Sequence, residues 1–180
     1  MHVRPLPAQA DDLLLEMKAP SRLRAHLCLV HDIACQLTAQ ISTAWPELII
    51  DEQVVHLGAA THDIGKALHP HELIEPGNAH EDAGRRLLLE HGWSEQSARF
   101  TVTHGLKLDA NDPLEDLLVA IADNVWKGTR NEALEQALVG HIAAGSGQEP
   151  WQVWLNVDDM LSDLAEPAEE RLRWQASHSL

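Results

Sequence analysis

The chain has 180 residues, of which 28 are acidic and 13 basic, so its formal net charge is −15 (13 − 28). That balance argues against grip on a nucleic-acid polymer, which needs clustered Lys and Arg, and 44% hydrophobic residues are too many for a disordered acidic segment. Twelve histidines, beside one Phe and no Tyr, are the unusual feature and raise the question of a site.

The start, Met1-His2-Val3-Arg4-Pro5 followed by Asp11 and Asp12, has no signal-peptide apolar stretch. Leu23, Leu27, Val30, Ala34, Leu37 and Ile41 recur at helical spacing and predict a helix from Ser21 to about Thr43, ended by Trp45-Pro46. Cys28 and Cys35 are seven apart on it, roughly 10 Å along the axis and too far for a disulfide. They read as small core residues in a reducing cytoplasm. Asp51 caps a second helix carrying Val54, Val55, Leu57, Ala60 and Ile64, with Gly65 as its natural stop. Residues 67–77, holding Pro70, Pro76 and Gly77, read as a loop. Asn78 with Glu81 predicts a capping box for a helix to about His91, and His91 is placed to complement that helix's C-terminus.

Ser94 starts a helix reaching about His104, and Asp112-Pro113-Leu114-Glu115 starts one running to about Lys127. Thr129 with Glu132 begins the next, to about Ala144. After Gly145-Ser146-Gly147 a helix opens near Pro150, with Trp151, Trp154, Val157, Leu161 and Leu164 on one side. Glu166-Pro167 interrupts it and a charged tail follows. Trp151, Trp154 and Trp174 read as core packing, with a homodimer contact or an active-site lid as the other readings. No apolar run approaches the ~18 residues of a membrane span. With no strand, repeat or long linker, the expectation is one all-α domain over 1–180: a core over about 21–127 and a C-terminal helical extension over about 128–180.

Thr61-His62-Asp63-Ile64-Gly65-Lys66 is the most informative string. Adjacent helical residues point about 100° apart, so this pair converges on one centre most easily beside a helix end. Imidazole with carboxylate suits Fe, Mn, Zn or Ni rather than Ca alone. The chain carries its own decoy, His31-Asp32-Ile33, which sits mid-helix without the Gly and Lys that follow His62-Asp63.

With these residues the chain resembles the HD-domain metal-dependent phosphohydrolase superfamily, whose members read His … His-Asp … Asp with two further His in binuclear forms. His62-Asp63 matches the doublet. His80, opening a helix before small residues, is similar to the third His, and His104 to the fourth. Asp123, in Ile121-Ala122-Asp123-Asn124, matches the closing Asp. The resemblance covers about residues 22–130. For the first ligand, His26 shares a face with Leu23, Val30, Ile33 and Leu37, the face expected to look inward, whereas His31 shares its face with Arg24 and Thr38 as well as Leu27 and Cys35. His26 is therefore taken as the ligand and His31 as a nearby polar residue. His69 and His71 read as loop residues beside the site, His56 as packed or facing water, and His2, His141 and His178 as surface residues.

The resemblance implies an HD-domain helical bundle with two divalent metals, Fe or Mn first and Zn, Ni or Mg as further options. His26, His62, Asp63 and Asp123 would hold one, and Asp63 would bridge to a second completed by His80 and His104. Two such cations about 3.5–4 Å apart activate a bridging hydroxide and clamp phosphoryl oxygens. Asp63 and Lys66 are the expected catalytic residues, with Lys66 and Lys107 on the substrate phosphate; Arg22 and Arg24 are weaker candidates. The implied substrate is a small phosphate ester or nucleotide, with no nucleic-acid polymer and no membrane as partner. The layout looks like small stand-alone members, including those that split symmetric diadenosine tetraphosphate, although Gly105 stands where that branch carries Thr and the Asp63–His80 span is short for it. Two alternatives remain open: a mixed-valent di-iron oxygenase of organophosphonates or polyols, and a non-catalytic signalling domain.

Overall fold

The six apolar residues at helical spacing, Leu23 through Ile41, are all buried on one side of a single long helix in the computed structural model, which describes residues 2–180. The helices are α1 (Ala8–Glu16), α2 (Ser21–Ala44), α3 (Glu52–Thr61), α4 (Ala79–Glu90), α5 (Glu95–Ala98), α6 (Phe100–Thr103), α7 (Leu114–Val125), α8 (Glu132–Ser146), α9 (Pro150–Ala165) and α10 (Ala168–Ala176). Two 3-10 turns, Ile64–Ala67 and Pro70–Leu73, lie between α3 and α4. No strand occurs among the described residues. The fold is an all-α bundle with a C-terminal helical extension, and no described helix is long and apolar enough to cross a membrane.

Helix α7 is buried almost all round, from Leu117 to Ala122 and at Val125, so it must be central. It packs on α2, α3 and α8. One apolar cluster joins these helices to α9; a second, around Leu14, Leu23, Leu27, Ile64, Leu88 and Trp93, joins α1 and α4 to the other end of α2. The metal-type residues lie where the two clusters meet along α2 and α3.

Several local readings change. Gly65 does not stop α3, which ends at Thr61 and leaves His62 and Asp63 in the turn. A Cβ on Gly65 would run into the His80 carbonyl and the Gly84 amide, so glycine is needed for the close passage of α4. The 67–77 loop contains the Pro70–Leu73 turn. Asn78 makes no side-chain cap on α4; Glu72 accepts from the Ala79 and His80 amides instead, both at 3.1 Å. Pro113 rather than Asp112 occupies the cap of α7, and Asn131 rather than Thr129 caps α8 by accepting from Leu134 N. Trp151 is 62% exposed, because it lies two residues, about 200° around the helix, from Val153 on the buried stripe Val153, Val157, Leu161 and Leu164. Trp154 and Trp174 pack partly against the core. The charged tail is helical: α10 buries Ala168 and Arg171. Helix α1, unmarked by any strong motif, buries Ala10, Leu13 and Leu14.

His31 lies in the interior near Cys35 and His56, its Nε2 3.5 Å from Cys35 Sγ and its Nδ1 without a hydrogen-bond partner. Burial, with His56 and Arg4 nearby, pushes its pKa down to about 4 from 6.5. The folded state holds this group neutral, so its contribution to stability is complete above the unfolded pKa and is lost as pH falls toward the folded one. Between pH 7 and 4.5 the loss should be about 2–3 kcal/mol. Urea unfolding at both pH values will show that drop in the wild type, and a correspondingly shallower one in His31→Gln.

Candidate metal centre

Five segments deliver six side chains to one point. α2 contributes His26 from its buried face, the end of α3 His62 and Asp63, the first turn of α4 His80, the end of α6 His104, and the last turn of α7 Asp123. Asp63 sits in the middle. Its Oδ2 lies 3.1 Å from His26 Nε2 and 3.7 Å from His62 Nε2, while its Oδ1 lies 3.0 Å from His80 Nε2 and 3.5 Å from His104 Nε2. Asp123 Oδ1 is 3.5 Å from both His26 Nε2 and His62 Nε2, which are 3.3 Å from each other. Two groups capable of holding a metal ion result, His26–His62–Asp123 and Asp63–His80–His104.

The imidazoles are oriented from behind. Nδ1 of His62 donates to the Ala59 carbonyl (3.0 Å), Nδ1 of His104 to the Phe100 carbonyl (2.8 Å), and Nδ1 of His80 to Glu72 Oε2 (2.5 Å). Each bond fixes the proton on Nδ1 and leaves the Nε2 lone pair facing the carboxylates. Lone pairs held this close without protons between them repel. Donors bound to a common cation at about 2.0–2.1 Å stand about 3.0–3.4 Å apart; three of these seven contacts have that spacing and the other four lie at 3.5–3.7 Å. Asp63 Oδ1 and His80 Nε2 are moreover buried without a hydrogen-bond partner. The donor set therefore fits divalent metal.

The electrostatics agree with ionised carboxylates. Burial pushes the Asp63 carboxyl up, but the neighbouring His62, His26 and His80 imidazoles hold it well below the usual range. Asp123 is likewise lowered against its burial, by His62 and His26. His62 is raised although burial opposes this, because Asp63 and Asp123 favour its charged form. Burial and the neighbouring His62 push His104 down to about 4.

The centre opens into a cleft of about 300 Å³, lined also by Lys66, Leu73, Trp126, Lys127 and Gln175. Lys66 Nζ is 2.6 Å from Asp63 Oδ2. Lys107 is exposed and does not line the cleft; Lys127, 3.7 Å from Asp123 Oδ2, supplies the second cation. Its position four residues after Asp123 put it on the same helical face, a signal the sequence contained. Glu72 had no such signal: it lies in an irregular segment and meets His80 only through the fold. Asp116, buried between α6 and α7, accepts from Thr103 Oγ1 at 2.5 Å and Arg99 Nε at 2.8 Å, tying the His104 segment to the Asp123 helix. His31 stands outside the cluster, Arg24 pairs with Asp11 at 2.6 Å, and Arg22 does not line the cleft. His69 faces a different depression and His71 is exposed. His141 is not a free surface group, since its Nε2 bonds the Asp112 carbonyl at 2.9 Å.

A comparison with protein-family models matches the HD domain over residues 23–126. No curated protein and no solved structure matches the chain. The matched stretch ends just before Lys127, so all six clustered residues fall within it.

Glu72→Gln keeps the shape but removes the charge behind His80. Metal affinity should fall by about 10- to 100-fold, as read by titrating Mn(II) into chelator-treated protein, with helical content unchanged.

Proposed function

The chain belongs to the HD domain family, and on that premise we propose that it is a metal-dependent phosphohydrolase cleaving a small phosphate ester or nucleotide at a two-metal centre. The family consists mostly of such hydrolases, with some non-catalytic members. The observation that carries the reading is Asp63, whose two oxygens face different donor groups: Oδ2 toward His26 and His62, Oδ1 toward His80 and His104. His26, His62 and Asp123 with Asp63 would hold one ion, and Asp63, His80 and His104 the other. Divalent ions there, Fe or Mn by the donor chemistry, would supply Lewis-acid polarisation of phosphoryl oxygens and acidify water.

The chain's own residues do the rest. Glu72 and the Ala59 and Phe100 carbonyls hold three imidazoles in the ligating tautomer. Once the Asp63 lone pairs are engaged, the Lys66 ammonium 2.6 Å away is free to bond a phosphoryl oxygen. Lys127 does the same on the Asp123 side. The two ammonium groups offset locally the repulsion that a −15 chain presents to an anion. Leu73 and Trp126 wall the cleft and limit water. No side-chain nucleophile is required.

The test is metal analysis with a panel of phosphate esters and nucleotides. Protein loaded with Mn or Fe should release phosphate from at least one compound, and Asp63→Ala should reduce that rate at least about 10³-fold. Fe-dependent oxygen uptake on an organophosphonate, with no ester hydrolysis, would replace this reading with an oxygenase. Failure to take up metal at all would point to a non-catalytic role.

Chelation offers an independent check. Metal at about 100 times its dissociation constant stabilises the fold by about 2.7 kcal/mol, so its removal should lower Tm by about 5–10 °C, read by calorimetry.

A further inference from the structure

Most residues lining the cleft, the donor cluster and Lys66 included, lie within residues 23–126, but Lys127 and Gln175 lie beyond it. We propose that Gln175 is a specificity-determining residue that binds the organic part of the substrate while Lys127 holds the phosphate, and that this substrate is a phosphate monoester with an oxygen-rich organic part no larger than a mononucleotide. The proposal rests on the phosphohydrolase reading.

Three observations carry it. Gln175 is held in place rather than presented on a loose tail. Its helix, α10, packs on α2, the helix that bears His26. Arg171 bonds back to the Leu164 carbonyl; Trp174 packs on the core and against His178 at 4.6 Å. Beyond the helix, the Ser179 carbonyl accepts from Ser21 Oγ at 3.0 Å and from Arg22 N at 2.9 Å, closing the extension onto the start of α2. Second, the Gln175 amide makes no hydrogen bond to the described residues, although it lines a polar cleft. An amide both donates and accepts, and so matches hydroxyl or carbonyl groups rather than a bare phosphate. Third, Lys127 lies 3.7 Å from Asp123, a loose pairing that leaves its ammonium able to turn toward a ligand oxygen.

Size sets the substrate class. A cleft of about 300 Å³ is at the lower end of the ~300–1,000 Å³ that ligand pockets span. That volume has room for one phosphate and a compact organic group, and a second nucleoside would extend beyond it. A half-exposed amide with no partner among the described residues discriminates by hydrogen bonding, which separates substrates with and without a matching oxygen more sharply than apolar contact does.

The experiment compares binding of inorganic phosphate and ribose 5-phosphate to Mn-loaded wild type, Gln175→Ala and Lys127→Met by isothermal titration, with metal content and Tm measured on each. The expected result is tighter binding of ribose 5-phosphate than of phosphate by the wild type. Gln175→Ala should weaken ribose 5-phosphate about five- to tenfold while leaving phosphate unchanged, and Lys127→Met should weaken both. Equal effects of Gln175→Ala on both ligands, or on neither, would overturn the proposal, as would no preference for the sugar phosphate in the wild type. A steady-state panel then adds diadenosine tetraphosphate, which should be the poorer substrate beside a mononucleotide. If the binding pattern holds while no ester is hydrolysed, the hydrolase reading fails and the recognition role stands; if hydrolysis is present and Gln175→Ala leaves KM unchanged for every sugar phosphate, only the recognition role fails.

Discussion

A carboxylate buried among four imidazole lone pairs is the constraint on which the structure depends. Asp63 is 3% exposed and faces His26, His62, His80 and His104. A buried charge is tolerated only when it is paired or coordinates metal. Here three of the four imidazoles, His62, His80 and His104, are tied through Nδ1 to carbonyls and to Glu72, so they cannot all turn away to relieve the crowding. The arrangement is held ready for cations.

The scaffold keeps this arrangement by close backbone packing and by buried polar ties. Gly65 and Gly84 let the turn after Asp63 meet α4 without side chains between them, which sets His80 against Asp63. Asp116 ties α6 to α7 and so sets His104 relative to Asp123. The nearly all-apolar surface of α7 anchors Asp123 in the bundle centre.

Charge has a local and a global reading. The chain as a whole is acidic, yet the cleft presents two ammonium groups above ionised carboxylates. The lysines are partnered by the same aspartates that would serve metal. Under the proposed function metal and anion binding would be coupled, because engaging the aspartates would free the lysines. Recognition of an anion through this coupling is independent of net charge, which is why a −15 surface is compatible with it.

The helical pattern and the metal-type residues were legible in the sequence. The stripe on α2, the cap at Asp51 and the family's ordered His and Asp residues depend on spacing along the chain, and the structure brings all six of those residues together. His26 and His31 are both buried; what separates them is that His26 turns to the donor cluster and His31 to Cys35 and His56. Boundaries shifted where the sequence offered competing caps, as with Asn131 for Thr129 and Glu72 for Asn78. Trp151 reads as core by its helical spacing with Trp154 and is exposed, because two positions separate it from the buried stripe. Glu72 behind His80, Lys127 in place of Lys107 and Gln175 over the cleft were settled by tertiary structure, Lys127 alone having a hint in its spacing from Asp123. The chain alone determined the helices and the donors, because periodicity and residue chemistry are local. Only the folded chain decided which residues orient those donors and which line the cleft beside them, because that placement joins segments up to 149 residues apart (175 − 26).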